Sequence, residues 1–160
     1  FKQLVAEARS TISGFNITTD IIVGFPGETE AEWQESLTTI QEIGFSHIHI
    51  FSYSQREGTK AAGLPDQVKS ELKKQRSQVL HQVADSMRHD FVVEQLGQTH
   101  RVLWEGQTET LADGRLRYFG YTPNYLRVAC EVDAGTELEN SISLARLETD
   151  CGDYILCQPA

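Results

Sequence analysis

Several groups of side chains in this 160-residue chain are of types that do chemistry. Arg56 lies in a polar run, Phe51-Ser52-Tyr53-Ser54-Gln55-Arg56-Glu57-Gly58-Thr59-Lys60-Ala61-Ala62. A guanidinium there can fork onto a carboxylate or a phosphate, and Gly58 permits a tight turn. His47 and His49 alternate with Ile48 and Ile50. If the isoleucines pack on helices, then His47, His49, Phe51 and Tyr53 share the opposite, interior face of an α/β barrel. A histidine there can donate a proton or bind a ligand; the plainer expectation is a histidine hydrogen-bonded inside the fold. Lys69, Lys73, Lys74 and Arg76 cluster in the first half of a long helical pattern. They read as a solvated face or as a contact to a nucleic-acid backbone. Cys130, Cys151 and Cys157 lack metal-knuckle spacing and no histidine follows Cys130, so buried or incidental thiols are expected.

The elements that must position these groups begin with Thr18-Thr19-Asp20-Ile21-Ile22-Val23-Gly24-Phe25-Pro26-Gly27-Glu28. An apolar run ending on Gly-Phe-Pro-Gly fits a parallel strand covered on both faces and followed by a helix. The carboxyl end of such a strand is where α/β proteins hold ligands, although a purely structural βα turn would look the same. Before it, Phe1 to Ser13 reads as a helix with Leu4, Ala8 and Ile12 on one face and Gly14 as its stop. After it, Thr29 to Ile43 reads as a helix with a Thr29–Glu32 capping box, an acidic start that suits the helix dipole, and a stripe of Trp33, Leu37 and Ile40. Phe45 to Tyr53 is the next strand, which completes a right-handed parallel βαβ unit. Asp66 to about Leu96 is a long helix, with Asp66 as N-cap and Leu72, Val79, Val83, Met87 and Phe91 as its apolar stripe.

From Gly97 the texture changes to short strand-like runs: Thr99–Glu105, Arg115–Thr122, Leu126–Val132, Ser141–Glu148 and Tyr154–Gln158. Asp113-Gly114 and Ala134-Gly135 mark turns. Five short strands in so few residues predict a small closed barrel. The domain organisation read from the sequence is therefore an α/β part over 1–65, a connecting helix over 66–96 and an all-β barrel over 97–160.

Composition sets limits. The chain is 39% hydrophobic, with no apolar run of membrane-spanning length, so no membrane partner is expected. Three cysteines, an odd count, fit a reducing compartment such as the cytoplasm. The net charge of −9 argues against nucleic-acid binding driven by overall charge. The part after Gly97 holds five arginines against ten carboxylates, a net of −5 that points to a basic protein partner. Residues 1–15 are amphipathic and do not read as a signal peptide, and with Phe1 in place of Met at its start the chain reads as a piece of a longer protein.

Ile-Ile-Val-Gly-Phe-Pro-Gly-Glu-Thr-Glu over 21–30, preceded by Thr-Thr-Asp, resembles the fifth-strand signature of radical S-adenosylmethionine methylthiotransferases. Tyr-Ser-x-Arg-x-Gly-Thr-x-Ala-Ala over 53–62, followed by Leu64-Pro65-Asp66-Gln67-Val68, is similar to the family's pattern after the sixth barrel strand. Gly120-Tyr121-Thr122-Pro123-Asn124-Tyr125-Leu126-Arg127-Val128 is similar to the central hairpin of the TRAM domain that ends these enzymes. The resemblance covers almost the whole chain. It implies an α/β fold, the last βαβ repeats of a partial TIM-like radical barrel, followed by a small all-β TRAM barrel.

The same resemblance implies function. Full-length members use S-adenosylmethionine and two 4Fe-4S clusters, and transfer a methylthio group to a nucleoside beside the tRNA anticodon. The 54–59 loop and the 120–125 hairpin most resemble the branch that modifies threonylcarbamoyladenosine. The wider radical family often shows Gly-x-Ile-x-Gly-x-x-Glu on the fifth strand; here Ile22 and Gly24 match, Asp20 replaces the first glycine, and Gly27 stands where glutamate would. Carry-over of adenine contacts is thus restricted to the backbone near Ile22 and Gly24, with Phe51 and Tyr53 as neighbours and Arg56 as the candidate for the cofactor's polar end. For RNA it is to Arg115, Arg117, Tyr118, Tyr121, Tyr125 and Arg127, whose cations and aromatics suit phosphates and bases. The Cys-x-x-x-Cys-x-x-Cys loop is absent, so no cluster or cofactor is expected on this chain alone and it is expected to be inactive by itself. A ribosomal-protein aspartate as substrate, or a non-catalytic protein-interaction module, are the alternatives.

Overall fold

Local chemistry sets the frame of the first half. The Thr29 side chain accepts from the backbone N–H of Glu32, and Glu32 accepts in return from the backbone N–H of Thr29, so the predicted capping box starts helix α2 (Glu30–Ile43). The backbone N–H of Thr29 and, after it, the Thr29 hydroxyl both donate to the Glu32 carboxylate and hold it below the ordinary carboxylate range. Gly44 closes the helix in the left-handed region at φ 66°. The computed structural model describes residues 1–160, which divide into two compact units, Phe1–Asp90 and Phe91–Ala160.

In the first unit, β1 (Thr18–Val23) and β2 (His47–Ser52) pair in parallel through α2, with Ile22 opposite Phe51. Val23, Trp33, Ile40, Ile43, Phe45, Ile48 and Leu80 form the buried core. The strands were expected to be covered on both faces. In this chain only one face is covered: Ile22 and Phe51 are each 53% exposed, and Thr18, Asp20, His47 and His49 share their open side. The sheet has two strands, so His47 and His49 face solvent and no closed barrel interior surrounds them.

Two helices differ from their sequence reading. In α1 (Lys2–Thr11) the buried residue is Val5, while Leu4 and Ile12 are exposed. Arg9 fixes this orientation by donating to the carbonyls of Ile43 and Gly44, at 2.5 Å each. Helix α3 (Ser70–Gln95) starts four residues later than read. Asp66 is not its cap; it sits at φ 57° and its carbonyl accepts from the N–H of Gly27. Leu72 and Val79 are exposed, and the buried stripe runs through Arg76, Leu80, Val83, Ala84 and Met87.

In the second unit, β3 (Thr99–Thr110), β4 (Leu116–Tyr121), β5 (Arg127–Val132), β6 (Ile142–Asp150) and β7 (Ile155–Pro159) form a closed barrel in the order β3-β4-β5-β7-β6. All neighbours are antiparallel except β5 and β7. A register shift between Trp104 and Thr108 lets β3 run on to the Asp113-Gly114 turn, further than its apolar alternation suggests. Val102, Trp104, Tyr118, Val128, Ala145, Leu147 and Ile155 fill the interior. Gly120 must be glycine here, because a Cβ would lie 2.5 Å from the Leu103 carbonyl and 2.8 Å from Val102.

Candidate functional site

Strands β1 and β2 end side by side, and the chain beyond each folds over a cavity of about 420 Å³. Ile22, Phe25, Phe51, Tyr53 and Arg56 line it, with Thr59 and Ala61 from the following turn. Four of the five residues implied for the cofactor, Ile22, Phe51, Tyr53 and Arg56, thus meet in one place. Gly24 does not line the cavity. Its N–H is taken by Glu28 Oε2 at 2.8 Å, which folds the Gly-Phe-Pro-Gly turn back on itself. Gly24 has φ +73°, and a Cβ there would strike Lys73 Cγ at 2.3 Å, so its role in this structure is to let Lys73 pass.

The wall of the cavity is held by aromatic and charged contacts. Phe25 and Tyr53 meet edge to face with centroids 5.3 Å apart. The Tyr53 N–H donates to the Val23 carbonyl at 2.9 Å, and Lys73 Nζ donates to the Tyr53 carbonyl at 3.0 Å. Arg76, 3% exposed, donates to Glu28 Oε2 at 2.6 Å, to the Glu28 carbonyl at 3.1 Å and to Glu30 at 3.1 Å. It also lies over the Trp33 ring at 5.7 Å. Lys73, Arg76 and Glu28 therefore clasp α3 to the βα turn. Sequence reasoning put both cations in one solvated or RNA-facing cluster; Arg76 is instead buried against Glu28 and Glu30, while Lys73 gives one bond to the Tyr53 carbonyl and still lines an open groove. The missed signal is the 73-76-80-83-87 spacing, one helical stripe whose first two members are charged.

An exposed apolar face beside a guanidinium with no carboxylate partner suits a ligand with a flat ring and an acidic end. S-adenosylmethionine has both, so Ile22, Phe25, Phe51 and Arg56 fit it. An iron–sulfur cluster does not fit this chain: no three cysteine, histidine or acidic side chains converge. Cys151 is exposed, whereas Cys130 and Cys157 are buried partners across β5 and β7. The hydrogen bond with Cys130, then burial, pushes the Cys157 thiol well up, so it stays protonated. His47 and His49 stack edge to face at 4.5 Å on the open sheet face. Partial burial, then His49 and Arg88, hold His47 below the ordinary imidazole range.

On the barrel, the residues implied for RNA fall into different settings. Tyr125 is 82% exposed at φ +63°, with Tyr121 6.2 Å away. Arg127 lies 4.5 Å over the buried Phe119 ring. Arg115 pairs with Asp113 at 2.8 Å and Glu131 at 3.0 Å, and Arg117 with Glu131 at 2.6 Å and Glu109 at 3.2 Å. Tyr118 is a core residue, 6% exposed, and donates to the Thr136 carbonyl. Its buried ring has no open face for a base.

No protein-family model matches the chain. Individual proteins do. A threonylcarbamoyladenosine tRNA methylthiotransferase of Bacillus subtilis is 34% identical over 137 residues, covering 86% of this chain and 30% of the relative. A tRNA-2-methylthio-N(6)-dimethylallyladenosine synthase of Moorella thermoacetica is 39% identical over 120 residues, or 73% of this chain and 27% of the relative. One of the same name from Mannheimia succiniciproducens is 31% identical over 99% of this chain and 36% of its own length. The chain spans about a third of the length of these curated relatives. As a segment of that length, the chain belongs to the radical S-adenosylmethionine methylthiotransferase family.

Proposed function

We propose that this chain is the carboxyl-terminal part of a cytoplasmic tRNA methylthiotransferase that modifies threonylcarbamoyladenosine beside the anticodon. The observation that carries the reading is the cavity at the carboxyl ends of β1 and β2, where Ile22, Phe51, Tyr53 and Arg56 converge. In the whole enzyme, bound S-adenosylmethionine supplies hydrogen abstraction and the methyl group. This chain's part is to seat the ring against Ile22, Phe25 and Phe51, and to hold the carboxylate at Arg56. The cluster ligands belong to the remainder of the enzyme, so the chain alone is inactive. The choice of threonylcarbamoyladenosine over dimethylallyladenosine rests on the 54–59 loop and the 120–125 hairpin.

The test uses the full-length protein reconstituted with iron and sulfide. It is given tRNA bearing either modified adenosine, and product nucleosides are identified by mass spectrometry. Methylthiolation of the threonylcarbamoyl substrate is expected; turnover of the dimethylallyl substrate alone would overturn the assignment. For the barrel, Tyr125→Gly removes the exposed ring and suits the positive φ, so the fold is retained. Loss of one base stack weakens RNA binding by about 1–3 kcal/mol. Unchanged affinity would take Tyr125 out of the interface.

One observation favours the ribosomal-protein reading instead. Arg115 and Arg117 are paired with barrel carboxylates, and the net −5 of residues 97–160 favours a basic partner. Competition between tRNA and a basic ribosomal peptide for the full-length protein separates the two, and displacement of tRNA by the peptide would favour this second reading.

A further inference from the structure

A second cavity, about 690 Å³, runs along the first half of α3. Ser52, Tyr53, Ser70, Lys73, Lys74, Ser77, Gln78, His81 and Gln82 line it. Every one of these side chains carries a hydrogen-bonding group and none is a carboxylate, in a chain with 23 acidic and 14 basic residues. Glu71 and Asp85, on the same helix, do not line it. Such segregation of donors and positive charge from an acidic background is what an anion selects.

The donors differ in readiness. One of the three Lys73 ammonium protons goes to the Tyr53 carbonyl at 3.0 Å, which fixes the charge in place and leaves the others. Lys74 is exposed and forms no ion pair. The Tyr53 hydroxyl is buried with no hydrogen-bond partner. Arg76, by contrast, is consumed by Glu28 and Glu30 and takes no part. Ser52 and Tyr53 line both this groove and the apolar cavity, so the two share a wall. An RNA strand whose phosphate lies in the groove would therefore run past the outer side of the wall that bounds the cofactor cavity.

We infer that the groove between the end of β2 and the first half of α3 holds a backbone phosphate of the RNA substrate, with Lys73 and Lys74 as its cations. The inference rests on the tRNA reading above and names a contact outside the barrel. A single lysine–phosphate contact has a defined signature: it weakens binding regardless of sequence and contributes about 0.7–1 to the salt slope of affinity.

The experiment measures binding of a fluorescent anticodon stem-loop RNA to the full chain by anisotropy, over a series of potassium chloride concentrations. Lys74→Gln is expected to weaken binding several-fold at low salt and to lower the slope by about 0.7–1. Lys73→Met with Lys74→Gln is expected to lower it by about twice that. Lys2→Gln, on α1, serves as a control for bulk charge and leaves the slope in place. Trp33 fluorescence, read in a Trp104→Phe background, verifies that each variant is folded. Salt-dependent binding with an unchanged slope in the double variant would overturn the groove and leave the tRNA reading standing. No RNA binding by the unmodified chain would overturn both.

Discussion

The two units solve opposite problems. The barrel closes on itself, so its strands have no unpaired edge and its interior is mainly apolar, from Val102 and Trp104 to Leu147 and Ile155. The βαβ unit has only two strands and leaves one sheet face bare, with Ile22 and Phe51 half exposed. A pair of strands is marginal alone. Order at its carboxyl edge depends instead on Arg76, Glu28, Lys73 and the backbone of the Gly24–Gly27 turn. One unit is stabilised mainly by buried apolar surface. The other adds charge-assisted hydrogen bonds at the edge where its ligand cavity lies.

Each unit contains one tryptophan, Trp33 in the first and Trp104 in the second, so the contrast can be measured separately. The largest effect is expected from Leu147→Ala. Leu147 is fully buried in the barrel, and truncation leaves a cavity that costs about 3 kcal/mol, within the usual 2–5 for such sites. In a Trp33→Phe background the urea midpoint read by Trp104 falls accordingly. In a Trp104→Phe background the Trp33 midpoint stays within error of its reference. An equal shift in both would break the comparison.

Next comes Arg76→Met, which keeps much of the apolar stem but removes the guanidinium. Removing one member of a buried ion pair typically costs about 3–5 kcal/mol. The Glu28 side chain is 15% exposed and can take up water, so about 2 kcal/mol is expected, confined to the Trp33 signal. A variant as stable as its parent would show that the clasp positions the turn without stabilising the unit. Crystals of that variant would then be expected to show Glu28 still seated on the Gly24 N–H.

These two residues also mark where sequence reading succeeds and where it stops. Leu147 lies in a strand whose alternation is plain, as do Val102, Trp104 and Val128, and the five-strand barrel follows from that pattern. The capping box and the parallel pair were likewise legible, because spacing and strand phase determine them; the grouping of Ile22, Phe51, Tyr53 and Arg56 came from the family resemblance and not from the pattern of residues. Arg76 was not. A buried stripe that begins with two cations looks like a solvated face until the acceptors, Glu28 and the Tyr53 carbonyl, are known to be opposite. The same blindness to tertiary partners misled the reading of α1, where Arg9 bonding to Ile43 and Gly44 turns Val5 inward in place of Leu4. Tyr118 and Arg117 look free in a sequence that interleaves aromatics and cations; the closed barrel takes one into its core and pairs the other with Glu131.

The smallest effect sharpens the contrast through pH. His100 is the one histidine in the second unit, while the first holds His47, His49, His81 and His89. The Nε2 of His100 is buried without a partner, and burial holds its pKa below the ordinary value. Below about pH 6.5 the unfolded chain then binds a proton that the folded barrel refuses, so barrel stability is full above that pH and declines as pH falls toward the folded pKa. His100→Gln abolishes this decline in the Trp104 signal. The mutant barrel stays level until carboxylates such as Asp113 titrate; Asp113 is itself held low by hydrogen bonds from the Arg115 side chain and backbone, so its stabilisation is lost only in stronger acid. The Trp33 signal keeps its own acid slope, because His47 in the first unit is depressed as well. A His100→Gln barrel that loses as much midpoint as its parent between about pH 7.5 and 5.5 would show that other groups, and not the buried imidazole, carry the decline.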